Sequence, residues 1–497
     1  MEIRKVYLDM DGVLADFDRG VEEMCHLPAS SQSGARDEAR DERMWEAIRG
    51  ISHFYAKLQL MAGAKEMFDR IYAQFGDRTE ILTGIPKPQR GIVTAGEDKT
   101  EWMKRKLSDR VRMNIVLRRE KKNYCTGPES VLIDDREETI LEWRELGGTG
   151  ILHVNPEETL RILRELAYKP EERTLGELLS EPSIARIAPE AIRARELDRE
   201  EAWGKTIRQI REEHFFAGQV GAGISRLMEA AATGEWYYPL YSEEECAADG
   251  RRKGLNLLWL PSTDPAADEK PFLFVVPGGG FENVWNLTEG WPIGDAFNRL
   301  GYHAFVLTYH VGENERLLEK NMEDFARALQ MIRKNAGKFH VSADRYITCG
   351  FSAGGYLICL WNTALGCPKH GLPKPEACFP VYPFVSPKLV YEKWGDPEPA
   401  DSTCLYGCPL SEAIRKEYEI AEHAEGFPPT AIFLAGDDGM VEPENSEMLA
   451  AALEKNGIPC RLETGESGGH GFGDGTGMCM EGWPERGLRW AESQRQK

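Results

Sequence analysis

The stretch that most restricts the fold is Gly350-Phe351-Ser352-Ala353-Gly354-Gly355, set between the strand-like run Tyr346-Ile347-Thr348 and the apolar run Tyr356–Trp361. A G-x-S-x-G match carries meaning in this strand–turn–helix context, because the glycines let the chain turn sharply and lift the serine hydroxyl above a sheet. Upstream, Pro277-Gly278-Gly279-Gly280-Phe281 follows the apolar run Phe272–Val276. Such a glycine run lets the N–H groups of Gly279 and Gly280 point, jointly with the Ala353 amide, at a developing oxyanion. An acid and then a histidine follow in chain order: Asp437-Asp438 just past the strand-like Ala431–Leu434, and His470 inside Gly468-Gly469-His470-Gly471-Phe472. The histidine is suited to deprotonate Ser352, and an aspartate to fix its tautomer and orientation. Side-chain chemistry leaves Asp437 and Asp438 as equal candidates.

These motifs occupy only part of the chain. Its 497 residues exceed the size at which one hydrophobic core stops growing, so more than one domain is expected. A hydrophobic share of 41% with 29% charged residues excludes both a disordered chain and a membrane-embedded one. Lys+Arg 61 against Asp+Glu 82 leaves a net charge of −21, which disfavours nucleic acid and anionic membranes as partners. The opening Met1–Leu8 runs into Asp9 without the apolar region of a secretory leader, no run is long enough for a membrane helix, and eleven cysteines stand without CxxC pairs. Together these features predict a cytoplasmic protein with reduced thiols.

Strand-like runs alternate with helical patterns at both ends of the chain, which predicts two parallel sheets with helices on both faces. Near the N-terminus the expected strands are Val6–Leu8, Glu80–Leu82 and Val131–Ile133, and the polar, helix-prone residues 18–75 form a cap over the sheet. The expected organisation is an α/β domain over 1–167, a helical connector or lead-in over 168–254, and a second α/β domain over 255–497. In the second, strands are expected at Leu257–Leu260, Phe272–Val276, His303–Leu307, Tyr346–Thr348, Ala377–Tyr382, Ala431–Leu434 and Cys460–Glu463.

The first strand leads into Asp9-Met10-Asp11-Gly12-Val13, which puts two carboxylates where ligands bind in open parallel sheets. Such a pair can divide labour, one attacking phosphorus and the other protonating the leaving oxygen. Asp134-Asp135, ending another strand, can supply ligands for Mg²⁺. Thr83 offers a hydroxyl to a phosphate oxygen, and Lys121 or Lys122 the neutralising charge.

Two resemblances follow from these residues. Asp9-x-Asp11-Gly-Val, Thr83, a lysine and Asp134-Asp135 stand in the order of motifs I to IV of the haloacid dehalogenase-like phosphatases. Asp-Met-Asp-Gly-Val-Leu-Ala-Asp-Phe is most similar to the 5′(3′)-deoxyribonucleotidase branch. That resemblance implies a Rossmann-like, Mg²⁺-dependent phosphatase domain with a helical cap. Asp9 would be the nucleophile and Asp11 the acid/base and a metal ligand, with Asp134 or Asp135 completing the metal site. At the other end, Pro-Gly-Gly-Gly-Phe, Glu289-Gly290-Trp291-Pro292, Gly-Phe-Ser-Ala-Gly-Gly and Gly-Gly-His-Gly-Phe-Gly resemble the α/β-hydrolase esterases of the acetyl xylan esterase-like type. There Asp438-Gly-Met-Val441, leading to Asn445-Ser446, stands where the family's acid segment does, which selects Asp438. Two departures are His310 where the family often has arginine, and Pro277 in place of the histidine of the hormone-sensitive-lipase oxyanion motif. The implied whole is a bifunctional hydrolase of small-molecule esters and phosphomonoesters, with no cofactor for the esterase. The alternatives are a prolyl-oligopeptidase-type peptidase, or an esterase whose N-terminal domain is a non-catalytic sensor or docking module. The oligomeric state is open.

Overall fold

The computed structural model describes residues 2–28, 38–181, 203–213, 220–233, 236–312, 314–395 and 397–495. These fall into two compact units, one of residues 1–168 with 263–265 and the other of 169–262 with 266–497.

The first unit is built on five parallel strands: β1 (Lys5–Leu8), β2 (Thr79–Ile85), β3 (Arg112–Leu117), β4 (Ser130–Asp134) and β5 (Thr149–Leu152). Their order is β3-β2-β1-β4-β5, so the chain reverses direction across the sheet between β1 and β4. The carboxyl ends of those two strands flank the crevice where open α/β sheets bind ligands. β1, β2 and β4 are apolar because both faces are covered; Val6, Leu8, Ile81, Val131 and Ile133 are all fully buried. Part of the expected cap, residues 29–37, lies outside the described residues. Helices Glu38–Arg49 and Ala64–Phe75 place Ile48, Phe68 and Ile71 in the same core as β1.

The second unit carries an eight-stranded sheet: β6 (Tyr237–Pro239), β7 (Asn256–Leu260), β8 (Phe272–Val276), β9 (Ala304–Thr308), β10 (Tyr346–Phe351), β11 (Ala377–Val381), β12 (Thr430–Ala435) and β13 (Cys460–Gly465). The order is β13-β12-β11-β10-β8-β9-β7-β6. β6 and β7 run antiparallel to their neighbours and the remaining pairs are parallel. β8 to β12 are buried throughout, which is why they read as unbroken apolar runs.

The connector expected over 168–254 is not a separate element. Residues 182–202, 214–219 and 234–235 lie outside the described ones, but the rest of 169–254 clusters with the second unit and contributes β6 to its sheet. A Glu/Arg-rich run reads as a solvated helix, yet Arg226 in helix Val220–Thr233 is wholly buried. Its guanidinium lies 2.7 Å from Glu229 and 3.3 Å from Asp295, and donates to Asn298 Oδ1 at 2.8 Å. Asp295 and Asn298 belong to helix Trp291–Arg299, so this network fastens the segment to a helix of the eight-stranded unit. Among the described residues no helix is long and apolar enough to cross a membrane, and all eleven cysteines are free.

Arg226→Ala leaves Glu229 and Asp295 buried without their cation. It is expected to lower the unfolding free energy by about 3–5 kcal/mol, read from denaturant melts; a loss below about 1 kcal/mol contradicts this reading.

Candidate active sites

In the second unit every motif residue lies just past the carboxyl end of a strand. β10 ends at Phe351 and helix Ser352–Trp361 begins at once, leaving Ser352 in the left-handed region at φ 49°. The flanking glycines make this turn feasible. A Cβ on Gly354 would stand 2.2 Å from Val276 O and 2.3 Å from Pro277 O, and one on Gly350 would stand 2.5 Å from Gly354 O. Phe281 (φ 63°) and Tyr382 (φ 36°) also adopt left-handed backbone close by. Such strain typically costs about 1–3 kcal/mol per residue and concentrates at functional sites.

His470 Nε2 lies 2.9 Å from Ser352 Oγ, and His470 Nδ1 lies 2.7 Å from Asp438 Oδ2. A carboxylate can only accept, so Nδ1 carries the proton and Nε2 faces the serine hydroxyl as acceptor. Asp438 is itself held, since its Oδ1 accepts from the amides of Met440 and Val441 at 2.9 and 3.0 Å. Asp437 does something different. Its Oδ1 accepts from the Gly469 amide at 2.8 Å and so fixes the loop that carries His470. Three-dimensional placement thus separates two aspartates that side-chain chemistry leaves equal.

The glycine run after β8 bends through left-handed Gly279 (φ 131°) and Gly280 (φ 63°). The Gly278 amide is committed to the buried carboxylate of Glu289 at 2.7 Å. Glu289 Oε1 accepts from the Tyr382 hydroxyl at 2.9 Å, and the Tyr382 ring packs edge-on to His470 at 4.8 Å. Glu289 and Tyr382 join the site although the sequence does not single them out as site residues: Glu289 lies in no strand end, and Tyr382, just past β11, has no glycine loop around it. His310 is buried, its Nδ1 held 2.8 Å from Asp324 Oδ2.

In the first unit, Asp9, Asp134 and Asp135 offer oxygens that all lie within 4.8 Å of one another. Lys121 Nζ sits 2.7 Å from both Asp9 and Asp134 and is buried, whereas Lys122 faces solvent. Burial works against the Lys121 ammonium, but Asp9 and Asp134 hold its proton more strongly than usual. Burial pushes the Asp134 carboxyl up, with Asp9 adding to the rise. Thr83 is brought in through Lys99, which donates to Thr83 Oγ1 at 2.8 Å, to Asp11 Oδ2 at 2.7 Å and to Gly84 O at 2.9 Å. Burial raises the Asp11 carboxyl too, and the Lys99 charge opposes that rise. Lys99 lies in helix Ala95–Lys106, whose density of Lys and Glu conceals it as a solvated face.

Gly354→Ala tests the turn directly. The new methyl has only backbone in front of it, so stability should fall by more than about 2 kcal/mol in a denaturant melt. A loss under about 0.5 kcal/mol contradicts the close approach.

A family model described as alpha/beta hydrolase fold matches residues 298–474, a span that includes Ser352, Asp438 and His470. Endo-1,4-beta-xylanase B of Butyrivibrio fibrisolvens is 28% identical over 222 residues, 42% of this chain and 34% of the relative. Acetylxylan esterase of Xylanibacter ruminicola is 28% identical over 209 residues, 40% of this chain and 41% of the relative. The chain therefore spans well under half the length of either. An acetyl ester-xyloside bifunctional hydrolase from Caldicellulosiruptor lactoaceticus aligns at 25% identity and a TM-score of 0.43, covering 52% of this chain and 95% of that one. The C-terminal part of the chain is an α/β hydrolase whose homologues include an acetylxylan esterase.

Proposed function

We propose that the second unit is a serine esterase that removes acetyl or another short acyl group from a small carbohydrate ester, and that the first unit is an Mg²⁺-dependent phosphomonoesterase. The observation that carries the esterase reading is the unbroken relay from Ser352 Oγ through His470 to Asp438, at 2.9 and 2.7 Å. Ser352 Oγ attacks the ester carbonyl carbon as its proton passes to His470 Nε2, and the carbonyl electron pair moves onto oxygen. Among the described residues the Gly279 and Gly280 amides have no protein acceptor, and with the Ala353 amide they would receive that oxyanion. Collapse breaks the bond to the alkoxide, which leaves with the proton from His470. Water, deprotonated by the same histidine, then releases the acid and restores Ser352. The carbohydrate substrate class is supported by the names of the two relatives, and the eleven free cysteines support a cytoplasmic setting.

The phosphomonoesterase reading is supported by the carboxylate cluster of the first unit, an all-oxygen donor set of the kind hard cations take. Asp9, Asp134 and Asp135, with Asp11 beside them, would hold Mg²⁺, which when bound neutralises charge on a phosphoryl oxygen. Asp9 is the group to attack phosphorus, and Asp11 the group to protonate the leaving oxygen. Lys121 holds Asp9 and Asp134 in place, while Lys99 orients Asp11 and Thr83.

Ser352→Ala should lower kcat on p-nitrophenyl acetate by at least about 10⁴-fold and leave p-nitrophenyl phosphate hydrolysis in Mg²⁺ unaltered. Asp9→Asn should do the reverse. Esterase activity surviving Ser352→Ala would overturn the first assignment. Turnover of a prolyl anilide would favour the peptidase reading, and Mg²⁺ binding without phosphate turnover in the wild type would favour the sensor reading. Within the triad, Asp438→Asn should cost about 10⁴-fold in kcat, and Asp437→Asn far less.

A further inference from the structure

Glu289 is a fully buried carboxylate directly beneath the nucleophile. A Cβ on Gly278 would stand 2.9 Å from Glu289 Oε2 and 2.9 Å from Ser352 Cβ, so the acid and the serine approach one point from two sides. Its position is set by the π-helical turn Asn286–Gly290 that precedes helix Trp291–Arg299. Burying a carboxylate is costly unless donors and a cation face it. The donors are the Gly278 amide at 2.7 Å on one oxygen and the Tyr382 hydroxyl at 2.9 Å on the other. Tyr382 in turn accepts from the Gly473 amide at 3.3 Å, three residues beyond His470.

The titratable groups that face Glu289 come from every surrounding strand end: Tyr309 past β9, Cys349 in β10, Tyr382 past β11 and His470 past β13. Tyr309 donates its hydroxyl to Pro277 O at 2.6 Å and stays neutral in that apolar setting, as does Cys349. His470 is the one member of this group that gains positive charge during turnover. Burial pushes the Glu289 carboxyl up, and an imidazolium at His470 pulls it back down.

We propose that Glu289 is a positioning residue of the esterase centre, which anchors the Gly278–Gly280 turn and, through Tyr382, the His470 loop. The proposal rests on the esterase reading above. It assigns to this acid a function that the triad leaves uncovered, the register between oxyanion donors and base.

The test compares Glu289→Gln, Glu289→Ala and Tyr382→Phe with wild type on p-nitrophenyl acetate. Gln keeps an acceptor for the Gly278 amide and loses the charge. Its kcat should fall 10- to 100-fold with KM within twofold. Glu289→Ala should lose at least tenfold more kcat than Glu289→Gln. Wild-type kcat in Glu289→Ala overturns the anchoring function. Should the Glu289 variants fail to fold, Tyr382→Phe, which removes one oxygen, carries the test: kcat should fall at least fivefold with KM unchanged, and an unchanged kcat overturns the proposal. Ser352→Ala run alongside separates the two levels. If it retains activity, the esterase reading itself fails; if it is inactive while the Glu289 and Tyr382 variants match wild type, only this inference fails.

Discussion

The chemistry of the second unit depends on how closely the Gly354 backbone approaches the end of β8. No side chain fits there, because a Cβ would meet two carbonyl oxygens within 2.3 Å. That approach lets helix Ser352–Trp361 start without a spacer after β10 and holds Ser352 at φ 49°, its hydroxyl turned toward His470. The same contact brings the glycine run after β8 beside the serine. Local backbone strain at Ser352, Phe281 and Tyr382 is tolerated because the buried sheet on which they stand over-determines it.

The two candidate sites handle charge in opposite ways. In the first unit, four acidic side chains converge on the ends of β1 and β4, and Lys99 and Lys121 are buried among them. A chain of net charge −21 needs such local cations before an anion can approach those carboxylates. In the second unit the buried Asp438 and Glu289 carboxylates have no lysine or arginine in ion-pair contact among the described residues; their donors are amides, a tyrosine hydroxyl and His470. That arrangement suits a neutral ester, in which charge appears only as the reaction proceeds.

Much of this was legible in the sequence, for identifiable reasons. Asp9 and Ser352 follow, and Asp134 ends, a buried parallel strand whose apolar run marks the site's rim, whereas His470 follows the polar edge strand β13 and is marked by its glycine-flanked loop. β3, β5 and β6 escape notice because edge strands are covered on fewer sides: β3 carries Arg112 and Asn114, β5 has four residues and β6 three. Lys99 is hidden by its charged helix, and Arg226 by a Glu/Arg-rich segment that reads as solvated. Glu289 stands within a motif yet carries no sign of its function, since its partners Gly278 and Tyr382 lie 11 and 93 residues away in the chain. Lys121 is told from Lys122 only by which of the two is buried.

The central claim is that Ser352 is a nucleophile activated by His470. Its most direct measurement is reaction of the intact protein with a fluorophosphonate, followed by mass mapping of the modified peptide. The account predicts one adduct per chain, on Ser352, lost when His470 is replaced by alanine. An unmodified Ser352, or an adduct that forms equally well without His470, would contradict it.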